Sequence, residues 1–245
     1  MTGRLSDAER AAAGLTAPSA LTTGIVDLHF ADGVYDLAAF KAAGGVAVIH
    51  KATEGGDFDD KGDTSAMQRC KAAGLLQGLY HFGNGRPGRL QAENFLSKHA
   101  EWPHALPVLD IESNARSTMG TMTVGAAVEF IQTVVEKIGR HPVFYTYDSF
   151  LRGLMARASA EQRRVIGLCP LWIAKYGPAP RALPEPFAPD RWALWQYTSS
   201  LDNGPADKVR YPRGVPGFKR ASQDRSCFRG TADELALWWK TCGLP

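Results

Sequence analysis

The chain is 245 residues long and 44% hydrophobic, with 28 Lys and Arg against 25 Asp and Glu and a formal net charge of +3. That is enough apolar material for a full core, and at this length one barrel is as ordinary as two domains. The small, scattered positive charge favours an acidic polymer or surface as partner over nucleic acid, and no apolar run is long enough to cross a membrane. Cys70, Cys169, Cys227 and Cys242 show neither CxxC pairs nor metal-ligand spacing. This argues for buried thiols, leaves a Cys227–Cys242 bridge open, and predicts no metal site.

In chain order, residues 1–23 read as an arm outside the core. Ser6-Asp7-Ala8-Glu9 has the form of a capping box, and no apolar secretory region is present. The expected protein therefore carries no Sec signal. Strand and helix patterns then alternate. Strands are expected at Ile25–Asp27, Val46–His50, Leu75–Phe82, Leu106–Ile111 and Pro142–Tyr145. Between them lie helical patterns at Asp36–Ala43, Thr64–Ala73, Arg89–Ala100 and Val124–Ile138, with two more at Ser149–Ala158 and Ala160–Ile166. Alternation at this spacing predicts βαβ units and a parallel sheet. After Cys169 the pattern changes. Leu171–Ala174, Trp192–Tyr197 and Ser226–Arg229 read as strands separated by Pro- and Gly-rich loops, and Asp233–Thr241 as a terminal helix. Eight strands with helices after only the first five predict an α/β fold, a single TIM-like barrel of parallel type lacking outer helices in its last third. Residues 24–245 form that one domain.

The chemistry concentrates at Leu109-Asp110-Ile111-Glu112. Side chains at i and i+2 of a strand share a face, so Asp110 and Glu112 should project together. Two carboxylates held close separate in pKa, one ionised and one protonated, and an acid beside an anion is what glycosidic cleavage needs. A solvated or calcium-binding carboxylate pair is the competing reading. Polar and aromatic residues also close nearly every other strand: Asp27 and His29, Lys51 to Glu54, Tyr80 and His81, Tyr145 and Tyr147, Lys175 and Tyr176, Gln196 and Tyr197. In parallel β/α barrels that end carries the active site. Carboxylates, aromatic faces and amides converging there suit a carbohydrate cleft. A rival is Gly83-Asn84-Gly85-Arg86-Pro87-Gly88, which fits GxGxxG after a strand. It follows the third strand rather than opening the fold, and Pro87 lacks the amide that a phosphate turn uses.

These pieces, in this order, resemble the glycoside hydrolase family 25 lysozymes, the Chalaropsis-type muramidases. The matching segments are Gly24-Ile25-Val26-Asp27, Lys51-Ala52-Thr53-Glu54-Gly55, Gly78-Leu79-Tyr80-His81-Phe82, Gln91-Ala92-Glu93-Asn94-Phe95 and Leu109-Asp110-Ile111-Glu112. Tyr145-Thr146, Leu171-Trp172-Ile173-Ala174-Lys175-Tyr176 and Trp195-Gln196-Tyr197-Thr198-Ser199 follow. The resemblance spans roughly Gly24 to Gly230 and implies a (β/α)5(β)3 barrel. It implies a peptidoglycan hydrolase cutting the β-1,4 bond between N-acetylmuramic acid and N-acetylglucosamine with retention. Glu112 would be general acid and then base. Asp110 would steady the substrate's acetamido group as it attacks the anomeric carbon, with a direct Asp nucleophile as the competing mechanism. Asp27 and Asp224 complete the implied catalytic set. Glu54, Tyr80, His81, Tyr145, Trp172, Tyr176, Trp195 and Gln196 are implied substrate contacts, although Trp172 could equally be core.

No cofactor is implied, and the expected partner of a monomer is the peptidoglycan glycan strand, reached after release or non-Sec export. The sequence departs from the family at Leu28-His29-Phe30-Ala31, where a Ser-His or Tyr-His pair is usual. It also departs in a long basic connection between Tyr197 and Asp224 (Lys208, Arg210, Arg213, Lys219, Arg220). A barrel that binds wall glycan without cutting it is the remaining alternative.

Overall fold

The structure is a computed structural model, and it describes residues 21–33, 35–114, 118–176, 178–199, 215–219 and 223–242. The expected arm at 1–20, with its capping box, and most of the basic connection at 200–222 lie outside the described residues.

Nine strands form one sheet: β1 (Leu21–Leu28), β2 (Ala47–Glu54), β3 (Phe58–Asp59), β4 (Leu76–Phe82), β5 (Leu106–Asp110), β6 (Val143–Tyr147), β7 (Leu171–Ala174), β8 (Leu194–Ser199) and β9 (Asp224–Arg229). The order β1-β9-β8-β7-β6-β5-β4-β2 closes into a barrel through a β1–β2 pairing, and β3 is appended to β2 as a short hairpin. Leu21 and Thr22, read from sequence as arm, already pair with β9. The described helices are α1 (Leu37–Ala42), α2 (Asp63–Ala72), α3 (Gly88–His99), α4 (Val124–Ile138), α5 (Asp148–Arg157), α6 (Ala160–Gly167) and α7 (Ala232–Thr241). None of them is long and apolar enough to cross a membrane.

One expectation is corrected. The barrel is not wholly parallel, because β9 runs antiparallel to both β1 and β8. A parallel strand needs a crossover that carries the chain back to the far end of the sheet. An antiparallel strand starts where its predecessor stopped, so β9 begins at the mouth. Period-2 patterning is the same for both directions, so the sequence did not distinguish them.

Alternation along the strands sorts side chains into two layers. Outward residues such as Val26, Val48, Leu79, Leu109, Phe144 and Ile173 pack beneath the helices. Ala126, Ala127, Phe130, Ile131 and Val134, one stripe of α4, are buried there, as are Ala92 and Phe95 of α3. Thr123 caps the start of α4, and Gly139, in the left-handed region, ends it. Inward residues Ile25, Ala47, Ile49, Val108, Val143, Trp172, Leu194 and Phe228 fill the barrel.

The barrel's lower end is closed by α7. Thr231 and Glu234 form its capping box, and Leu235 and Trp239 turn into the inner cluster with Cys242. The Trp239 indole donates to the Gln77 carbonyl at 2.7 Å, and Arg140 donates to the Trp239 and Cys242 carbonyls. All four cysteines are free, buried thiols.

Trp239 is 2% exposed and Leu237, on the same helix, 65%. Trp239→Ala should therefore cost about 3–5 kcal/mol by chemical denaturation. Leu237→Ala should stay within about 0.5 kcal/mol. Similar losses at both positions would mean that α7 does not plug the barrel.

Candidate active site

The end of the barrel where β1, β2 and β4 to β8 finish and β9 begins opens into a pocket of about 220 Å³. It is lined by Asp27, His29, Lys51, Tyr80, Phe82, Asp110, Glu112, Tyr145, Trp172 and Asp224. Seven strands and the loops after them supply this wall, from Asp27 on β1 to Asp224 on β9.

Each carboxylate is placed by local backbone rules. Asp27 lies two residues beyond inward Ile25 on β1, and its Cα pairs with Asp224, the first residue of β9. Asp110 ends β5, pairing with Phe82 on one side and Tyr145 on the other. The Ile111 amide still donates to the Tyr145 carbonyl at 3.0 Å, so the extended path continues past the strand. Ile111 is buried in the outer layer, and Glu112 reaches the pocket beside Asp110, as i, i+2 spacing requires.

The pocket floor is braced by neutral hydrogen bonds. Gln196 Nε2 donates to both Asp27 oxygens at 3.2 and 3.0 Å, and the Tyr145 hydroxyl donates to Gln196 Oε1 at 3.0 Å. The Trp172 indole donates to Ser226 Oγ at 2.9 Å and meets the Tyr145 ring edge-on at 4.5 Å. One oxygen of Asp110, Oδ1, is buried without a hydrogen-bond partner.

Burial raises all four acids, and neighbouring carboxylates add to the push on Asp27, Asp110 and Asp224. Burial, then the charges of Asp224, Asp32 and Glu112, push Asp27 well above the usual carboxylate range against the Gln196 bond. Burial and Glu112 do the same to Asp110, with Lys51 opposing. Burial raises Glu112, again against Lys51, and burial with Asp32 and Glu112 lifts Asp224 to about 6. The cluster therefore keeps protons at a pH where exposed carboxylates have lost them. Asp110 is the deeper of the central pair, and burial is the first cause of the upward push on both.

Other sequence candidates divide by strand phase. Tyr80, Tyr145 and Trp172 face inward into the pocket, and Gln196 braces it from beneath. Tyr176 is exposed just past β7. Glu54 accepts from Lys51 at 2.6 Å. His81 is not in the pocket. It is one residue out of phase with Tyr80, buried between sheet and helices, with Nδ1 on Thr53 Oγ1 (2.8 Å) and Nε2 on Gln91 Oε1 (3.2 Å). Burial holds its ring nitrogens down to a pKa of about 3. Trp195 likewise points outward, against Trp192 and Tyr197, and donates to the Lys175 carbonyl at 2.7 Å. His29 lines the rim and caps a 3-10 turn (Phe30–Asp32). Sequence reasoning missed Phe82, which was available as Tyr80 plus two, and gave Lys51 no role of its own, although it lies two residues beyond inward Ile49.

The GxGxxG reading fails on geometry. A Cβ on Gly85 or Gly88 would fall 1.9 Å from the Met119 or Ala126 carbonyl oxygen, so these glycines permit close packing and leave no phosphate cradle. Among the described residues, no group of His, Cys, Asp and Glu is arranged to hold a metal ion.

A closed barrel with acids and aromatic rings converging in one mouth pocket is the arrangement of barrel-type glycoside hydrolases. The chain belongs to the glycosyl hydrolases family 25, whose model matches residues 26–204. Asp224 lies beyond that match, and its place rests on the β9 pairing with Asp27. An autolytic lysozyme of Clostridium acetobutylicum is 24% identical over 201 residues, covering 78% of this chain and 56% of the relative. The uncharacterized protein YegX of Escherichia coli is 25% identical over 194 residues, 76% of this chain and 60% of the relative. The chain thus spans under two thirds of the length of these curated relatives. Among solved structures, the bacterial lysozyme from Streptomyces coelicolor superposes with a TM-score of 0.72 at 23% identity, covering 91% of this chain and 98% of that one. A family GH25 lysozyme from Aspergillus fumigatus gives 0.67 at 25%, covering 88% and 97%.

The raised acids carry a stability consequence. Asp224 binds its proton more tightly folded than unfolded, so stability falls as pH rises from about 4 towards about 6. Asp224→Asn should therefore stabilise the fold at pH 7 by roughly 1–2 kcal/mol, after discounting for partial exposure. The gain should vanish below about pH 4. A loss at pH 7, or a gain independent of pH, in thermal melts would contradict this.

Proposed function

We propose that the chain is a peptidoglycan hydrolase, a lysozyme of the N-acetylmuramidase kind. It would cut the β-1,4 bond between N-acetylmuramic acid and N-acetylglucosamine with retention of configuration. The observation that carries the reading is the convergence of Asp27, Asp110, Glu112 and Asp224 with Tyr80, Tyr145 and Trp172 on one pocket. It occurs in a family 25 chain whose matched relatives include an autolytic lysozyme.

In this reading Glu112, less buried than Asp110, protonates the departing glycosidic oxygen and then takes a proton from the incoming water. Asp110, which lines the pocket, offers a carboxylate oxygen to the N–H of the substrate's acetamido group, whose own oxygen attacks the anomeric carbon. That hydrogen bond, and the positive charge developing at the sugar, favour the Asp110 anion. The proton shared by the pair is thereby left on Glu112. Asp27, clamped by Gln196, and Asp224 add negative potential around the forming oxocarbenium ion. The aromatic rings supply apolar faces for the sugars. The glycan strand is the proposed partner, met outside the cytoplasm.

Glu112→Gln should keep the native circular dichroism and lose about 10²–10⁴-fold in hydrolysis of purified peptidoglycan. Mass spectrometry of wild-type digests should find fragments with reducing muramic acid ends, the first-formed anomer retaining the β configuration. Reducing glucosamine ends, freed peptides, or a fully active Glu112→Gln variant would overturn the assignment.

A further inference from the structure

We infer that Lys51 is a positioning residue of this site, an ammonium that strand phase from Ile49 carries into the carboxylate cluster and that Glu54, brought to the same face by a β-bulge at Ala52, holds there. The inference rests on the hydrolase reading and adds to it the group that tunes the acids.

The argument starts from strand phase. Lys51 and Glu54 are three residues apart on β2, and regular alternation would send them to opposite faces. The parallel pairing with β4 is irregular at this point: Lys51 is opposite Tyr80, yet Thr53, not Ala52, is opposite the next residue, His81. Ala52 is the extra residue. It packs in the outer cluster, and Thr53 also turns outward, bonding the buried His81 ring. One shift of phase returns Glu54 to the face of Lys51, and the two meet at 2.6 Å. Bulges beside active sites re-aim side chains in this way.

The ammonium is enclosed as well as paired. Lys51 lines the pocket at 15% side-chain exposure, with Nζ 4.9 Å from the Phe82 ring centroid and 5.4 Å from that of Phe58 on β3. Rings on two strands and a carboxylate on its own strand hold it against rotating out to water.

Its neighbours from every packed element are named groups. The mouth of β1 brings Asp27 and His29, β4 brings Tyr80 with His81 behind it, β5 brings Asp110 and Glu112, β6 Tyr145, and β9 Asp224. Above, on the β2–β3 turn, Asp57 pairs with Arg86. Among the described lining residues, Lys51 and the rim His29 are the ones able to carry positive charge against the carboxylates of Asp27, Asp110, Glu112 and Asp224. Lys51 is also the cation that counters the upward push on both Asp110 and Glu112, while Glu54 adds to that push on Asp110.

The signs follow. Removing the ammonium raises both members of the central pair, so both limbs of the activity–pH profile move to higher pH. Removing the Glu54 charge lowers Asp110, so the acid limb moves the other way. The experiment measures release of reducing ends from purified peptidoglycan across pH for wild type, Lys51→Met, Lys51→Arg and Glu54→Gln. The Lys51→Met profile should shift upward by about 1 pH unit or more, the Lys51→Arg profile should stay near wild type, and the Glu54→Gln acid limb should move down. A purely structural role would lower the rate without moving either limb. Unmoved limbs in Lys51→Met beside an active wild type overturn the role of Lys51 alone. Should Lys51→Met not fold, an unmoved or upward-moving Glu54→Gln limb, or a displaced Lys51→Arg profile, overturns it equally. A wild type that releases nothing at any pH overturns the hydrolase reading itself, and this role with it.

Discussion

The structure turns on electrostatic crowding: Asp27, Asp110, Glu112 and Asp224 line one small pocket, and each is lifted above its ordinary pKa first by burial. Separating charge from water is expensive, and like charges in a low-dielectric pocket add to the expense. The cluster relieves it by retaining protons. A retained proton is also what an acid catalyst needs near neutral pH, so the feature that strains the fold is the one that equips the site.

The barrel makes that crowding possible. Its inner layer is packed with apolar side chains and its lower end is closed by Trp239 and Leu235, so beneath the hydrogen-bonded brace the acids stand on a filled barrel. Neutral donors hold the groups in place without cancelling them: Gln196 clamps Asp27 and is itself held by Tyr145. The antiparallel entry of β9 brings Asp224 to the mouth opposite Asp27. Had β9 run parallel, its first residue would have sat at the plugged end. The change of strand direction late in the chain thus has a direct functional consequence.

Much of this was legible in the sequence, and what was not had definite physical reasons. Alternating strands and helices, the absence of an outer helix among the described residues between β7 and β8, and the i, i+2 placement of Asp110 and Glu112 follow from periodicities that the structure reproduces. Strand phase separates neighbours that the sequence groups together: Tyr80 faces the cleft and His81 the helices, and Gln196 faces inward while the Trp195 indole points outward. Phase could have removed His81 and Trp195 and supplied Phe82. Phase could not have found the Lys51–Glu54 pair, because the bulge that unites them depends on register with β4. The β3 hairpin and the direction of β9 are likewise properties of pairing between strands, invisible in a single run of residues.

The account's central claim is that the folded pocket holds protons that ordinary carboxylates would have released. It is tested most directly by carbon-detected NMR titration of the native protein labelled at its Asp and Glu carboxyl carbons, with Asp27→Asn, Asp110→Asn, Glu112→Gln and Asp224→Asn used to assign the four signals. The account predicts that these carboxyls titrate above the ordinary range, Asp224 near pH 6, with several resonances moving together because the sites are coupled. Four independent transitions all complete below about pH 5 would contradict it.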